Sequence, residues 1–291
     1  MTTDTITRRP DGSPDSGPRG TVLETIAYLA LACALCWAVA APGLLGAVPG
    51  ELAAGLVPVA QLTPLLATVP FLLLRRSGRA VDVLALRWNR SWRWTGLGIK
   101  VVVVVSAVQL GVGLALGWQP RPADAVLPAV VATIPVLVLQ SVFAFGEEVG
   151  WRGWLVSRLR HLGFPMLALV SAVAWVVWHL PAVALFPLGP AEQAAYLLGI
   201  ASWAPFFVAL RLASGSVWPA VLLHGAVNSV RVFFLQSVAE SGGVDWTVEA
   251  VGWVLWLAAA VLLARHVGRR RSAGPATATP PALPVNPPTG S

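Results

Sequence analysis

Eight apolar stretches, near residues 21–47, 52–74, 96–117, 125–147, 165–187, 193–211, 217–238 and 246–264, dominate the chain. Each is long enough to cross a hydrocarbon layer of about 30 Å as a helix. Lipid offers no partner for a free backbone N–H or C=O, so single segments of this kind span it only as helices. The predicted fold class is therefore all-α, a polytopic transmembrane bundle of about eight spans within residues 21–264. The charged fraction agrees: it is 11%, against about 25% in soluble domains. Residues 1–20 carry Arg8, Arg9 and Arg19 but no apolar run, so they predict a disordered tail rather than a signal peptide. Residues 272–291, "SAGPATATPPALPVNPPTGS", predict a second, Pro-rich tail.

Arginine placement sets the expected orientation. Sixteen arginines flank one side: Arg8, Arg9 and Arg19, the group from Arg75 to Arg93, Arg158 and Arg160, Arg211, and the group from Arg265 to Arg271. The opposite loops hold Arg121 among Glu51, Asp124, Glu192, Glu240 and Asp245. The positive-inside rule then makes both termini cytoplasmic. The net charge of +7 reads as a topology signal, with the bilayer as the partner and no nucleic acid implied. The segment 84–94, "LALRWNRSWRW", predicts an anchor on the inner membrane surface. Cys33 and Cys36 lie within the first apolar stretch and read as two small residues on one helix face. With Lys100 as its single lysine and an Ala-, Val-, Arg- and Pro-rich composition, the chain fits a bacterial, high-GC source and a plasma-membrane location.

Against this apolar background three spans carry strong polar groups. The fourth ends in "FGEEVGWRGW", with Glu147, Glu148 and Arg152; the fifth holds His179; the seventh holds His224, Asn228 and Arg231. Ionisable groups in lipid are costly and default to function. Glu148 and Arg152 are i,i+4, so they can pair within one helix, and Glu147 is turned about 100° away. If the fourth helix continues to about Arg160 and turns near Gly163, Glu147 and His179 are each sixteen residues from the turn and share a depth. His224 and Asn228 share a face, and an ideal helix puts Arg231 on nearly the same one. Taken singly, the Glu-Arg pair reads equally well as an interfacial ion pair, and a lone His as a partner for a neighbouring helix.

Together these residues resemble the CAAX-protease and bacteriocin-processing family of intramembrane proteases, which includes the type II CAAX prenyl endopeptidases and the Abi proteins. Glu147-Glu148-x-x-x-Arg152 is similar to its first motif, Trp175-x-x-x-His179 to its second, where Phe usually stands for Trp, and His224-x-x-x-Asn228 to its third. The resemblance covers about 140–230 and implies hydrolysis of a peptide bond of a membrane-embedded or lipid-linked peptide near the cytoplasmic side. Glu147, held against His179, is expected to activate water; His224 and Asn228 to stabilise the oxyanion; and Glu148 with Arg152 to fix the helix. Two cofactor readings stay open. Glu147, His179 and His224 match a catalytic zinc set in composition. A metal-free glutamate mechanism is preferred, because neither His has a carboxylate near it in sequence to orient it. Two other functions compete: a non-catalytic scaffold or bacteriocin self-immunity protein, and a proton-coupled transporter, whose expected marks of broken helices and internal repeats are not seen in the sequence.

Overall fold

In the computed structural model, residues 18–74, 79–88 and 91–272 are described, the side chains of 18–20, 51, 232 and 270–272 excepted. Most of the two expected tails, and Arg75, Arg76 and Arg90, lie outside the described residues. The helices reach slightly into the tails, with the first beginning at Pro18 and the last ending at Ser272.

Eight helices are long and apolar enough to cross a membrane: α1 (Thr21–Leu44), α2 (Leu56–Leu73), α3 (Ser91–Ala115), α4 (Ala123–Leu159), α5 (Phe164–Val183), α6 (Pro190–Ser214), α7 (Trp218–Val238) and α8 (Trp246–Arg269). Helix α7 packs on α4 and α3, α6 packs on α5 and α8, and α1 packs on α5. A two-residue strand pair, β1 (Gln119–Pro120) with β2 (Ala239–Glu240), is the one sheet among the described residues. It ties the α3–α4 connection to the α7–α8 connection.

Helix α4 continues beyond the apolar stretch to Leu159, as the hairpin register assumes, and Arg160–Gly163 makes the turn into α5. It is not a regular α-helix throughout: Val149–Leu155 is π-helical. The Val156 N–H reaches back to Trp151 O, skipping Arg152 O. Arg211 of α6 takes that freed carbonyl through Nε at 3.0 Å and holds Ser157 Oγ with Nη2 at 3.2 Å. A backbone acceptor in lipid needs a donor, so the π-turns and Arg211 form one unit. A second π-segment, Val227–Phe234, lies within α7.

Helix α2 corrects the expectation of unbroken spans. Pro58, Pro64 and Pro70 recur every six residues, and each removes an i→i−4 bond. The span is split into Leu56–Ala60, Thr63–Leu66 and Val69–Leu74. Thr63 and Thr68 donate their hydroxyls to Ala60 O and Leu65 O at the two breaks. Neighbouring helices secure the first break: Trp178 Nε1 donates to Thr63 Oγ1 at 3.0 Å, and Tyr28 Oη to Pro64 O at 3.3 Å.

Three glycines let α2 and the 80–88 segment lie directly on α4. A Cβ at Gly146 would stand 2.6 Å from Gln61 O, and one at Gly153 would stand 2.6 Å from Leu84 O. Gly150 faces Pro64 and Tyr28 in the same way. Around 84–94, Trp88 and Trp92 are exposed and Arg93 lies 5.7 Å from the Trp92 ring centroid. The Arg87 guanidinium, hydrogen-bonded to Asp82 in this exposed segment, holds its carboxyl below the usual range. Cys33 and Cys36 are free thiols, and the Cys36 thiol donates to Trp178 O at 3.4 Å.

Candidate active site

The polar groups of α4, α5 and α7 converge in the bundle interior. Glu147, Glu148, Arg152, His179 and His224 are all buried. Glu148 and Arg152 pair within α4, Nη1 to Oε1 at 3.1 Å, as the i,i+4 spacing predicts. The same carboxylate oxygen accepts a second bond, from His224 Nδ1 at 2.9 Å. Glu148 therefore joins α4 to α7 as well as stabilising its own helix. The remaining face of the Arg152 guanidinium meets aromatic rings, with Cζ 4.0 Å from the Trp175 centroid and 4.6 Å from that of Phe207. Desolvated cation–π contacts of this kind offset part of the cost of burying the charge.

Glu147 is directed elsewhere, as its 100° offset requires. Gln61 Nε2 donates to Oε1 and Trp175 Nε1 to Oε2, both at 2.8 Å. The expected direct contact with His179 is not formed: no hydrogen bond or ion pair joins the two among the described residues. The register explains the difference. Glu147 meets Trp175, one turn before His179, because the π-turns of 149–155 accommodate extra residues with little extra rise. That brings Glu147 closer to the α4–α5 turn than residue counting implies.

His179 Nδ1 lies 2.8 Å from Trp175 O. A carbonyl only accepts, so Nδ1 carries the proton and the Nε2 lone pair is left for another partner. The ring is packed edge-on against Trp178, Trp175 and Tyr196, with centroids 4.7, 5.5 and 6.0 Å away. Tyr196 also lines a cavity of about 280 Å³, with Trp203, Arg231 and Glu249 on its other walls.

On α7, Asn228 Nδ2 donates to Gln140 Oε1 of α4 at 3.0 Å, so His224 and Asn228 both face α4. Arg231 departs from its expected place on the same face. It pairs with Glu249 of α8 at 2.5 Å. The π-segment 227–234 is the cause, since each extra residue in a helix turns the residues downstream of it by about 100°.

Glu147, His179 and His224 do not make a metal site as arranged. No group of three or more His, Cys, Asp or Glu among the described residues is placed to hold an ion. Both histidines have an outer acceptor that sequence proximity does not supply: Glu148 for His224 and the Trp175 carbonyl for His179.

Two members of the cluster escape sequence reasoning. Gln61 belongs to no motif and stands as a lone amide in an apolar stretch, although a polar residue between two span-breaking prolines is itself a signal. Trp175 reads as an aromatic equivalent of Phe, yet its N–H makes a bond that Phe lacks.

Residues 127–230 match the model of the family described as type II CAAX prenyl endopeptidase Rce1-like, a stretch that contains all six candidate residues. No curated protein matches the chain.

Proposed function

We propose, from the premise that the chain carries an Rce1-like type II CAAX prenyl endopeptidase domain, that it is an intramembrane endopeptidase. Its substrate is a membrane-embedded or lipid-linked peptide, and its nucleophile is a water activated by Glu147. One observation carries this reading. Two carboxylates, a guanidinium and two imidazoles from three helices meet in a buried cluster, and Glu147 is the carboxylate whose hydrogen bonds come from neutral donors, Gln61 and Trp175.

Each Glu147 oxygen accepts one hydrogen bond and keeps a second acceptor position. A water donating to Glu147 and to the free Nε2 of His179 would bridge the gap between the two residues. Glu147 takes its proton as the oxygen attacks the scissile carbonyl, then returns that proton to the leaving amine. His224 donates Nδ1–H to Glu148, so it can also donate from Nε2 only as an imidazolium. That form balances the cluster, with Glu147 and Glu148 against Arg152 and His224. His224 Nε2–H and the second amide hydrogen of Asn228 form the oxyanion site. Removing one such donor costs about 10²–10³ in rate.

Both termini and the 75–94 loop face the cytoplasm, and the protein resides in a bacterial plasma membrane. The broken span α2 supports catalysis rather than transport, because its break is filled by Trp178 and Tyr28 and delivers Gln61 to Glu147. Mass-spectrometric comparison of membrane peptides from cells with wild type and Glu147→Ala tests the function. Wild type should release a peptide set that the variant does not. Identical sets would defeat the protease reading and favour a scaffold or immunity protein.

A further inference from the structure

We propose that Gln61 and Trp175 are positioning residues that clamp the Glu147 carboxylate, one donor on each oxygen, and so aim its two remaining lone pairs at the reacting water. The inference rests on Glu147 being the base. The clamp comes from outside Glu147's own helix: Gln61 from the break in α2 and Trp175 from α5, each at 2.8 Å. Two charge-assisted bonds on different oxygens fix both the position and the plane of a carboxylate, which a single bond does not. Activated groups lose most of their advantage when held loosely, because a misplacement of about 1 Å can cost about a hundredfold.

Trp175 also touches the rest of the cluster. Its ring carries Arg152 on one face, its edge meets His224 at a centroid distance of 5.4 Å, and its carbonyl accepts from His179. A phenylalanine would retain a ring for Arg152 and the carbonyl for His179. It would lose the N–H on Glu147 and the volume of the second ring. In this chain the indole therefore performs a task that the ring alone does not. Gln61 reaches Glu147 because Gly146, the residue before it, has no side chain to hold α2 away.

The test uses full-length protein in detergent and, as probe, an internally quenched peptide ending in a farnesylated cysteine, two aliphatic residues and a free C-terminal residue. Trp175→Phe and Gln61→Met should each lower kcat about tenfold to a hundredfold, the value of one hydrogen bond to a charged group, with KM moved less than about threefold. Trp256→Phe shortens a buried indole of α8 that packs on Phe206, and its kcat should change less than about threefold. A spectroscopic arm needs no substrate. In 15N-indole-labelled protein, the Trp175 resonance, identified by its loss in Trp175→Phe, should move upfield in Glu147→Ala. Full activity of Trp175→Phe and Gln61→Met beside an inactive Glu147→Gln overturns the clamp and leaves the protease reading standing. Full activity of Glu147→Gln overturns Glu147 as the base, and with it the premise of the clamp. An indole resonance indifferent to Glu147→Ala overturns the clamp whatever the probe shows.

Discussion

Glu148 Oε1 and His224 Nδ1 lie 2.9 Å apart although 76 residues separate them in sequence. Arg152 shares that oxygen. The carboxylate next to the proposed base is thus the point where α4, its own cation and helix α7 are joined.

Glu148→Gln and Arg152→Ala should consequently both lower the yield of folded protein. Each leaves a buried charge without its partner, a change that costs about 3–5 kcal/mol. Glu147→Gln should abolish turnover while leaving yield and Tm near wild type. Size-exclusion profiles and thermal unfolding in detergent separate the cases, and equal stability of all three variants would refute the division of labour.

The proposed metal-free mechanism predicts indifference to chelators. Purified enzyme with sub-stoichiometric metal by elemental analysis should keep its activity, and His224→Asn should slow turnover without altering metal content. Activity that tracks zinc occupancy one-to-one would reverse this and make Glu147, His179 and His224 ligands.

Orientation is tested by labelling. Cysteines engineered at Arg76 and Ser272 should resist an impermeant thiol reagent in intact cells and react after permeabilisation. Reaction from outside at either site overturns the arginine-based topology.

Gly146→Ala should destabilise by about 1–3 kcal/mol, the usual cost of overpacking, because the new methyl would meet Gln61 O at 2.6 Å and Leu62 Cα at 2.9 Å. Gly163→Ala is the control, since its nearest neighbour would stand 3.9 Å away. A matching Tm for the two variants would show that the close approach of α2 is not needed.

The eight spans are legible in the sequence because lipid leaves an apolar run of twenty residues few other choices. The Glu148–Arg152 pair and the hairpin at Gly163 are legible for a related reason, each being set by local helix geometry. The features that escape sequence reasoning depend on distant partners. The π-turns at 149–155 exist with Arg211, 59 residues beyond Arg152, as the donor for a skipped carbonyl. They shift Glu147 from His179 to Trp175, and their counterpart in α7 turns Arg231 toward Glu249. The Pro58–Pro64–Pro70 spacing announces a broken helix, but hydropathy alone reads straight through it.

That break bears on how the protein is made. While α2 is emerging into the bilayer, its interrupted backbone lacks the Trp178 side chain that later secures it, and the glycine face of α4 has yet to be synthesised. An apolar sequence favours its entry into lipid, whereas the unpaired groups at the break disfavour residence there without protein cover. Helix α2 should therefore stay beside the insertion machinery until α4 is in place. Ribosome-bound chains truncated before Ala123 should crosslink to that machinery through a probe in α2, and chains extended beyond Val183 should not. Biogenesis would then proceed by delayed docking rather than by strict order of synthesis, with the proposed base as the meeting point.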